Sequence, residues 1–190
     1  MTNDPFGDVI RQMVAILDRA SVTYAITGSV ASSTFGRAVT TQDIDIAARM
    51  TPEQARMIAS SLPPNFYRSE DALVDAARSF GMANIIEVET QLTVDLCVLA
   101  PCEFHDQVFA RRQVVEIGPG GVPCYMVSPE DIILMKLVWR KDSRSQKQWS
   151  NALDVARARG ARLDWRYMFE QGATLGIEKD LEQLRDEAGI

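Results

Sequence analysis

Two aspartates one residue apart, Asp43-Ile44-Asp45, imply chemistry more directly than any other residues of this 190-residue chain. In a strand, residues two apart face the same way. Asp43 and Asp45 would then project together, with Ile44 and Ile46 turned to a core. Neighbouring carboxylates repel each other unless a cation lies between them. An oxygen-rich pair of this kind suits Mg²⁺ or Mn²⁺, which takes one or two carboxylates and completes its shell with water and phosphate. Upstream, Gly28-Ser29 opens a segment of small residues, Val30 to Phe35. Read alone, this is a strand-to-helix turn with Ser29 as N-cap. It can also hold phosphate: helix N-terminal N–H groups and a Ser hydroxyl bind anions, and Gly28 has no Cβ to keep the backbone away.

Taken together, the stretch from Tyr24 to Ala48 resembles the nucleotidyltransferase superfamily, the polymerase-beta-like group. Its motif is Gly-Ser or Gly-Gly at the mouth of a helix, Asp-x-Asp on the next strand and a third Asp on a later strand. Asp95 is the matching third acid, in the alternating run Leu92-Thr93-Val94-Asp95-Leu96-Cys97-Val98. The resemblance implies that Asp43, Asp45 and Asp95 bind Mg²⁺ or Mn²⁺ and are catalytic, with Asp95 able to act as base. It implies transfer of a nucleoside monophosphate from an NTP such as ATP to an acceptor hydroxyl, releasing pyrophosphate. The acceptor stays open: a small molecule, a tRNA end or a protein side chain.

Ser128-Pro129-Glu130-Asp131, Lys136-Leu137, Lys147-Gln148-Trp149 and Asp154-Val155 widen the resemblance. They are similar to small bacterial nucleotidyltransferase-like proteins near the abortive-infection and toxin–antitoxin groups. There the segment before Asp-x-Asp often reads Gly-x-x-Arg-x-Thr-x-Asp-x-Asp. Gly36, Thr41, Asp43 and Asp45 match, but Val39 stands where the Arg is usual, and Arg37 is the nearest guanidinium. The implied nucleotide-binding set is Gly28, Ser29, Arg37, Thr41, Lys136 and Lys147. A non-catalytic nucleotide- or partner-binding member of a defence or toxin–antitoxin system is the alternative that the same resemblance allows.

These residues need elements to position them. Apolar spacing predicts an amphipathic helix from Asp4 to Ala20. Strands follow at 24–27 and 43–48, with a short helix at 29–35 between them. Thr51-Pro52-Glu53-Gln54 reads as an N-cap, a Pro at N1 and a capping box, for a helix ending near Leu62. Ser69 caps another helix, to Ser79. Strands at 82–88 and 91–99 read as a hairpin turning at Glu89-Thr90, and strands at 113–117 and 122–127 as a second hairpin around Gly118-Pro119-Gly120-Gly121. A short helix lies at 103–112. The last third is helical, with starts at Ser128, Ser145 and Asp164, a final helix from Glu178, and stops at Gly160 and Gly176. The expected fold is α/β (α+β): a nucleotidyltransferase-like mixed sheet with flanking helices in residues 1–127, and a helical part, 128–190, packed on it.

Lys136 sits within the apolar run Ile132 to Leu137. A buried ammonium must pair with an acid, meet a phosphate or snorkel out. Arg140, Lys141, Arg144 and Lys147 follow as a basic cluster. The whole chain is acidic, with net charge −6, which argues against general nucleic-acid binding. The three cysteines, Cys97, Cys102 and Cys124, lack CxxC spacing and read as reduced core thiols of a cytoplasmic protein. His105 has no Cys or His at ligand spacing, so it reads as a surface helix residue, and no P-loop motif is present. No apolar run is long enough to span a membrane.

Overall fold

A computed structural model describes residues 4–190 and, of Asp142, the backbone alone. The chain divides into two compact units, one of residues up to 27 and 41–126, the other of residues 28–40 and 127–190.

The first unit carries a seven-stranded mixed sheet. Its strands are β1 (Thr23–Ile26), β2 (Asp43–Arg49), β3 (Phe66–Tyr67), β4 (Met82–Glu87), β5 (Thr93–Val98), β6 (Gln113–Ile117) and β7 (Val122–Met126), in the order β3-β4-β5-β2-β1-β7-β6. β2 runs parallel to β5 and antiparallel to β1. The two expected hairpins are present as the antiparallel pairs β4–β5 and β6–β7. One face is apolar: Ile44, Ile46, Ile85, Val94 and Leu96 are all at most 1% exposed. The unit's helices are α1 (Pro5–Arg19), α3 (Pro52–Ser61), α4 (Glu70–Ser79) and α5 (Glu103–Ala110). α3 begins as its sequence dictates, with Thr51 and Gln54 forming a reciprocal capping box behind Pro52.

The second unit is helical: α2 (Gly28–Phe35), α6 (Pro129–Ser143), α7 (Gln146–Arg159), α8 (Trp165–Leu175) and α9 (Glu178–Ala188), with one 3₁₀ turn at Gly160–Arg162. Ser128 caps α6, accepting from the Asp131 N–H at 3.1 Å. Asp131 is fully buried, and its carboxylate accepts from the Ser128 hydroxyl and from Tyr167 Oη of α8, each at 2.7 Å. α9 is tied back by Asp180 to Arg140 of α6 and by Glu187 to Trp149 of α7. α2 packs on α6 and α7.

Several details differ from the sequence reading. The two-residue strand β3 was not anticipated; a strand that short leaves no alternation to read. Cys102 is exposed and caps α5, so it is no core thiol; Cys97 is half-buried, Cys124 is buried, and all three are free. The first hairpin's strands end sooner, at Glu87 and Thr93, because Gln91 takes a left-handed conformation (φ +58°) and widens the link. His105 is a half-buried residue of α5, its Nδ1 lying 2.7 Å from the Ala100 carbonyl oxygen.

Glu87 organises that link. Its carboxylate accepts from the Thr90 hydroxyl, the Thr90 and Glu89 N–H groups and the Asn65 amide. The Thr90 hydroxyl first, then the Thr90 N–H, hold the carboxyl at about 2, well below the ordinary 4.5. A depressed folded-state value stabilises the fold above the unfolded value and loses that contribution as pH falls through the folded one. The melting temperature should therefore drop between pH 4.5 and 2 more steeply in wild type than in Glu87→Gln, as thermal melts across that range would measure. In the second unit, a Cβ on Gly36 would lie 2.9 Å from the Val155 nitrogen and 3.0 Å from the Asp154 carbonyl carbon. Both are backbone atoms of α7 and cannot swing aside. Gly36→Ala should thus cost roughly 1–3 kcal/mol, the usual penalty for overpacking, read as a lower denaturation midpoint.

Candidate active site

The strand register assembles the acidic residues. β2 pairs with β5 so that Asp43 faces Thr93 and Asp45 faces Asp95. Neighbouring strands lie about 4.8 Å apart, and paired residues share a face. Asp43, two residues before Asp45, shares that face too. All three candidate carboxylates therefore stand on the side of the sheet opposite the apolar one. Asp43 is exposed, and Asp45 and Asp95 are half-buried. Among the described residues, no three Asp, Glu, His or Cys side chains are gathered closely enough to hold a metal ion as they stand.

Each aspartate has local supports. Thr41 Oγ1 accepts the Asp43 N–H at 3.1 Å and lies 3.2 Å from the Asp43 carbonyl oxygen, to which it can donate, fixing the entry to β2. Thr27, at the end of β1, donates its N–H to the Asp45 carbonyl oxygen at 2.9 Å. On the far side of Asp95, β4 places Asn84 opposite it, and Asn84 Nδ2 donates to Asp95 Oδ1 at 2.5 Å. The central row is thus Asp45, Asp95, Asn84. One adjoining row is Asp43, Thr93, Ile86; the other is Ala47, Cys97, Met82.

Cys97 is held neutral. Burial first, then the Asp45 and Asp95 carboxylates, push its thiol up to about 12. The central row itself, Asp45, Asp95 and Asn84, offers side-chain oxygens. Arg49 also falls on this face by alternation. It lies four residues beyond Asp45, about 13 Å along the strand, with its guanidinium on Asp106 of α5 at 2.6 Å and over the Phe109 ring. Arg49 is thereby engaged at the other end of β2.

The second unit holds most of the expected nucleotide-binding residues. α2 opens at Gly28, directly after Thr27, rather than with Ser29 as its cap. Gly28 has φ +61°, where a Cβ is strained, so the turn itself calls for glycine. Ser29 is half-buried in the first turn of α2, and Arg37 is exposed just beyond the helix. Lys136 is 2% exposed, with Nζ donating to Gln148 Oε1 of α7 at 3.2 Å. Lys147 is exposed on α7, next to Gln148. Sequence reading missed Asn84. Its signal was present, since a hairpin turning at Glu89-Thr90 sets Asn84 opposite Asp95.

No helix among the described residues is long and apolar enough to cross a membrane. No family model matches the sequence, and no curated protein matches it. Solved structures do. One is an antigenic nucleotidyltransferase-like protein from Paracoccidioides brasiliensis, at 14% identity over 95% of this chain and 92% of that one, with a TM-score of 0.54. Another is ANT(2'')-Ia in complex with adenylyl-2''-tobramycin, at 14% identity over 97% of each chain and a TM-score of 0.53. The same antibiotic-resistance factor in solution matches at 15% identity over 95% of this chain and 89% of that one, also at 0.53. At such identity the likeness is one of fold, and it agrees with the mixed sheet and its flanking helices: the chain has the nucleotidyltransferase fold.

Proposed function

We propose that this protein transfers a nucleoside monophosphate from an NTP to an acceptor hydroxyl, with release of pyrophosphate. The observation that carries the reading is the row of carboxylates, Asp45 beside Asp95 with Asp43 on the same face. An all-oxygen donor set fits a hard divalent cation, Mg²⁺ or Mn²⁺, and Asp43, Asp45 and Asp95 would hold it. Bound there, the ion would neutralise charge on the triphosphate and make the α-phosphorus more electrophilic.

The protein's own residues do the rest. Asp95 accepts the proton of the acceptor hydroxyl. The acceptor oxygen forms its bond to the α-phosphorus as the bond to the pyrophosphate oxygen breaks, and pyrophosphate leaves. The backbone N–H groups at the start of α2, from Gly28 on, and the Ser29 hydroxyl bind phosphate oxygens. Arg37, Thr41, Lys136 and Lys147 supply further donors to the nucleotide. Positioning and fixed charge provide most of the barrier lowering in such transfers. ANT(2'')-Ia has been solved with an adenylylated small molecule, which supports a hydroxyl as acceptor; a small molecule, a tRNA end and a protein side chain all remain candidates.

Incubation with α-³²P-labelled NTPs and Mg²⁺ in lysate should label an acceptor, and Asp45→Asn should reduce labelling to background. That swap is nearly isosteric and removes a like charge, so its melting temperature should hold or rise. NTP binding without any label transfer would move the protein to the non-catalytic, nucleotide-binding reading. Near wild-type transfer by Asp45→Asn would overturn the carboxylate roles. Lys136→Met keeps the length and the apolar stem of the side chain. It should weaken NTP binding by roughly 1–3 kcal/mol, the worth of a charge-assisted contact. Unchanged affinity with a shifted melting temperature would make Lys136 structural.

A further inference from the structure

The carboxylate row has one member that is not acidic. Asn84 stands outward on β4 between the buried residues Ala83 and Ile85. Their burial fixes the strand's facing, so Asn84 cannot turn away from the acidic side without exposing them. Asn is depleted from strands, where an outward position would favour Thr or a β-branched apolar residue. Its cost here is offset by what it bonds: Nδ2 donates to Asp95 Oδ1 at 2.5 Å. On its other flank Asp95 has Asp45. Asp95 thus sits between a donor and a like charge.

The consequence follows from the geometry of a carboxylate. The terminal torsion of an Asp side chain is broad, so an untied carboxylate presents either oxygen. A tie on Oδ1 from the β4 side restricts that rotation and leaves Oδ2 on offer. We infer that Asn84 is a positioning residue for Asp95, fixing Oδ1 on the β4 side so that Oδ2 is presented to a divalent cation or an acceptor hydroxyl. The inference rests on the carboxylate roles proposed above. Restricting the side chain in advance also lowers the ordering cost of binding, so Asn84 should contribute to cation affinity without touching the cation.

The test is Mn²⁺ affinity of the full chain, measured by electron paramagnetic resonance with and without ATP. Asn84→Ala should weaken Mn²⁺ binding by roughly tenfold, as loss of a residue that orients a metal ligand does. Asn84→Thr should weaken it similarly although Thr suits the strand better, which separates positioning from folding; the melting temperature of each variant checks this. On an Asp95→Ala background, Asn84→Ala should cost nothing further, because its effect passes through Asp95. Asp43→Asn is the control for the site itself. If Asp43→Asn loses Mn²⁺ while both Asn84 variants bind like wild type, the inference is wrong and the site stands. An Asn84→Ala effect that is as large without Asp95 as with it also overturns the inference. If Asp43→Asn binds Mn²⁺ like wild type, the carboxylate site fails and the role of Asn84 fails with it.

Discussion

The parallel pairing of β2 with β5 is the constraint on which the acidic face depends. It sets Asp45 directly beside Asp95, two groups that repel. What holds them is the other side of the same strands. Ile44, Ile46, Val94 and Leu96 are fully or almost fully buried, and each such side chain contributes about 1.5–3 kcal/mol. Like charges at a solvated surface cost about 1 kcal/mol at 4 Å. The apolar face wins by a wide margin. A slip of one residue would turn the isoleucines out and the aspartates in, and burying unpaired carboxylates costs several kcal/mol each. The sheet's register is therefore set by hydrophobic burial, and the electrostatics of the opposite face follow from it.

The second unit solves a related problem differently. Asp131 is fully buried yet is fixed by the Ser128 hydroxyl and Tyr167 Oη. Glu130, 7% exposed, accepts the Asp164 N–H, so α6 and the start of α8 are joined at two adjacent acids. Buried acids of this kind are tolerated because their oxygens meet donors. Those of the sheet instead remain partly in water, where a ligand can reach them.

The sequence made most elements legible because their signals are local. Caps at Thr51, Ser69, Ser128, Ser145 and Asp164 each accept a bond from the backbone N–H three residues on, as their types require. Alternation in 43–48 and 92–98 showed which residues share a face. What stayed hidden is non-local. Strand order is not written in any one segment, so the adjacency of Asp45 and Asp95 rested on resemblance alone. Asn84 was overlooked for a different reason: the hairpin at Glu89-Thr90 already sets it opposite Asp95, but a neutral side chain does not announce chemistry by its type. Nor does the small-residue segment after Gly28 announce that it groups with residues 127–190.

That grouping bears on how the chain comes to be folded. The second unit is built from two separated pieces of sequence, so α2 emerges during synthesis well before α6 and α7, the helices it packs on. An eight-residue helix is marginal in isolation. α2 must therefore wait, its apolar residues Val30, Ala31 and Phe35 uncovered, until the C-terminal helices have been made. Such closure over a long loop is slow and leaves hydrophobic surface open in the meantime. Gly28 and Ser29, which begin α2, thus reach their final backbone conformation late, and the nascent sheet can carry its aspartates before the segment beside them in sequence is in place.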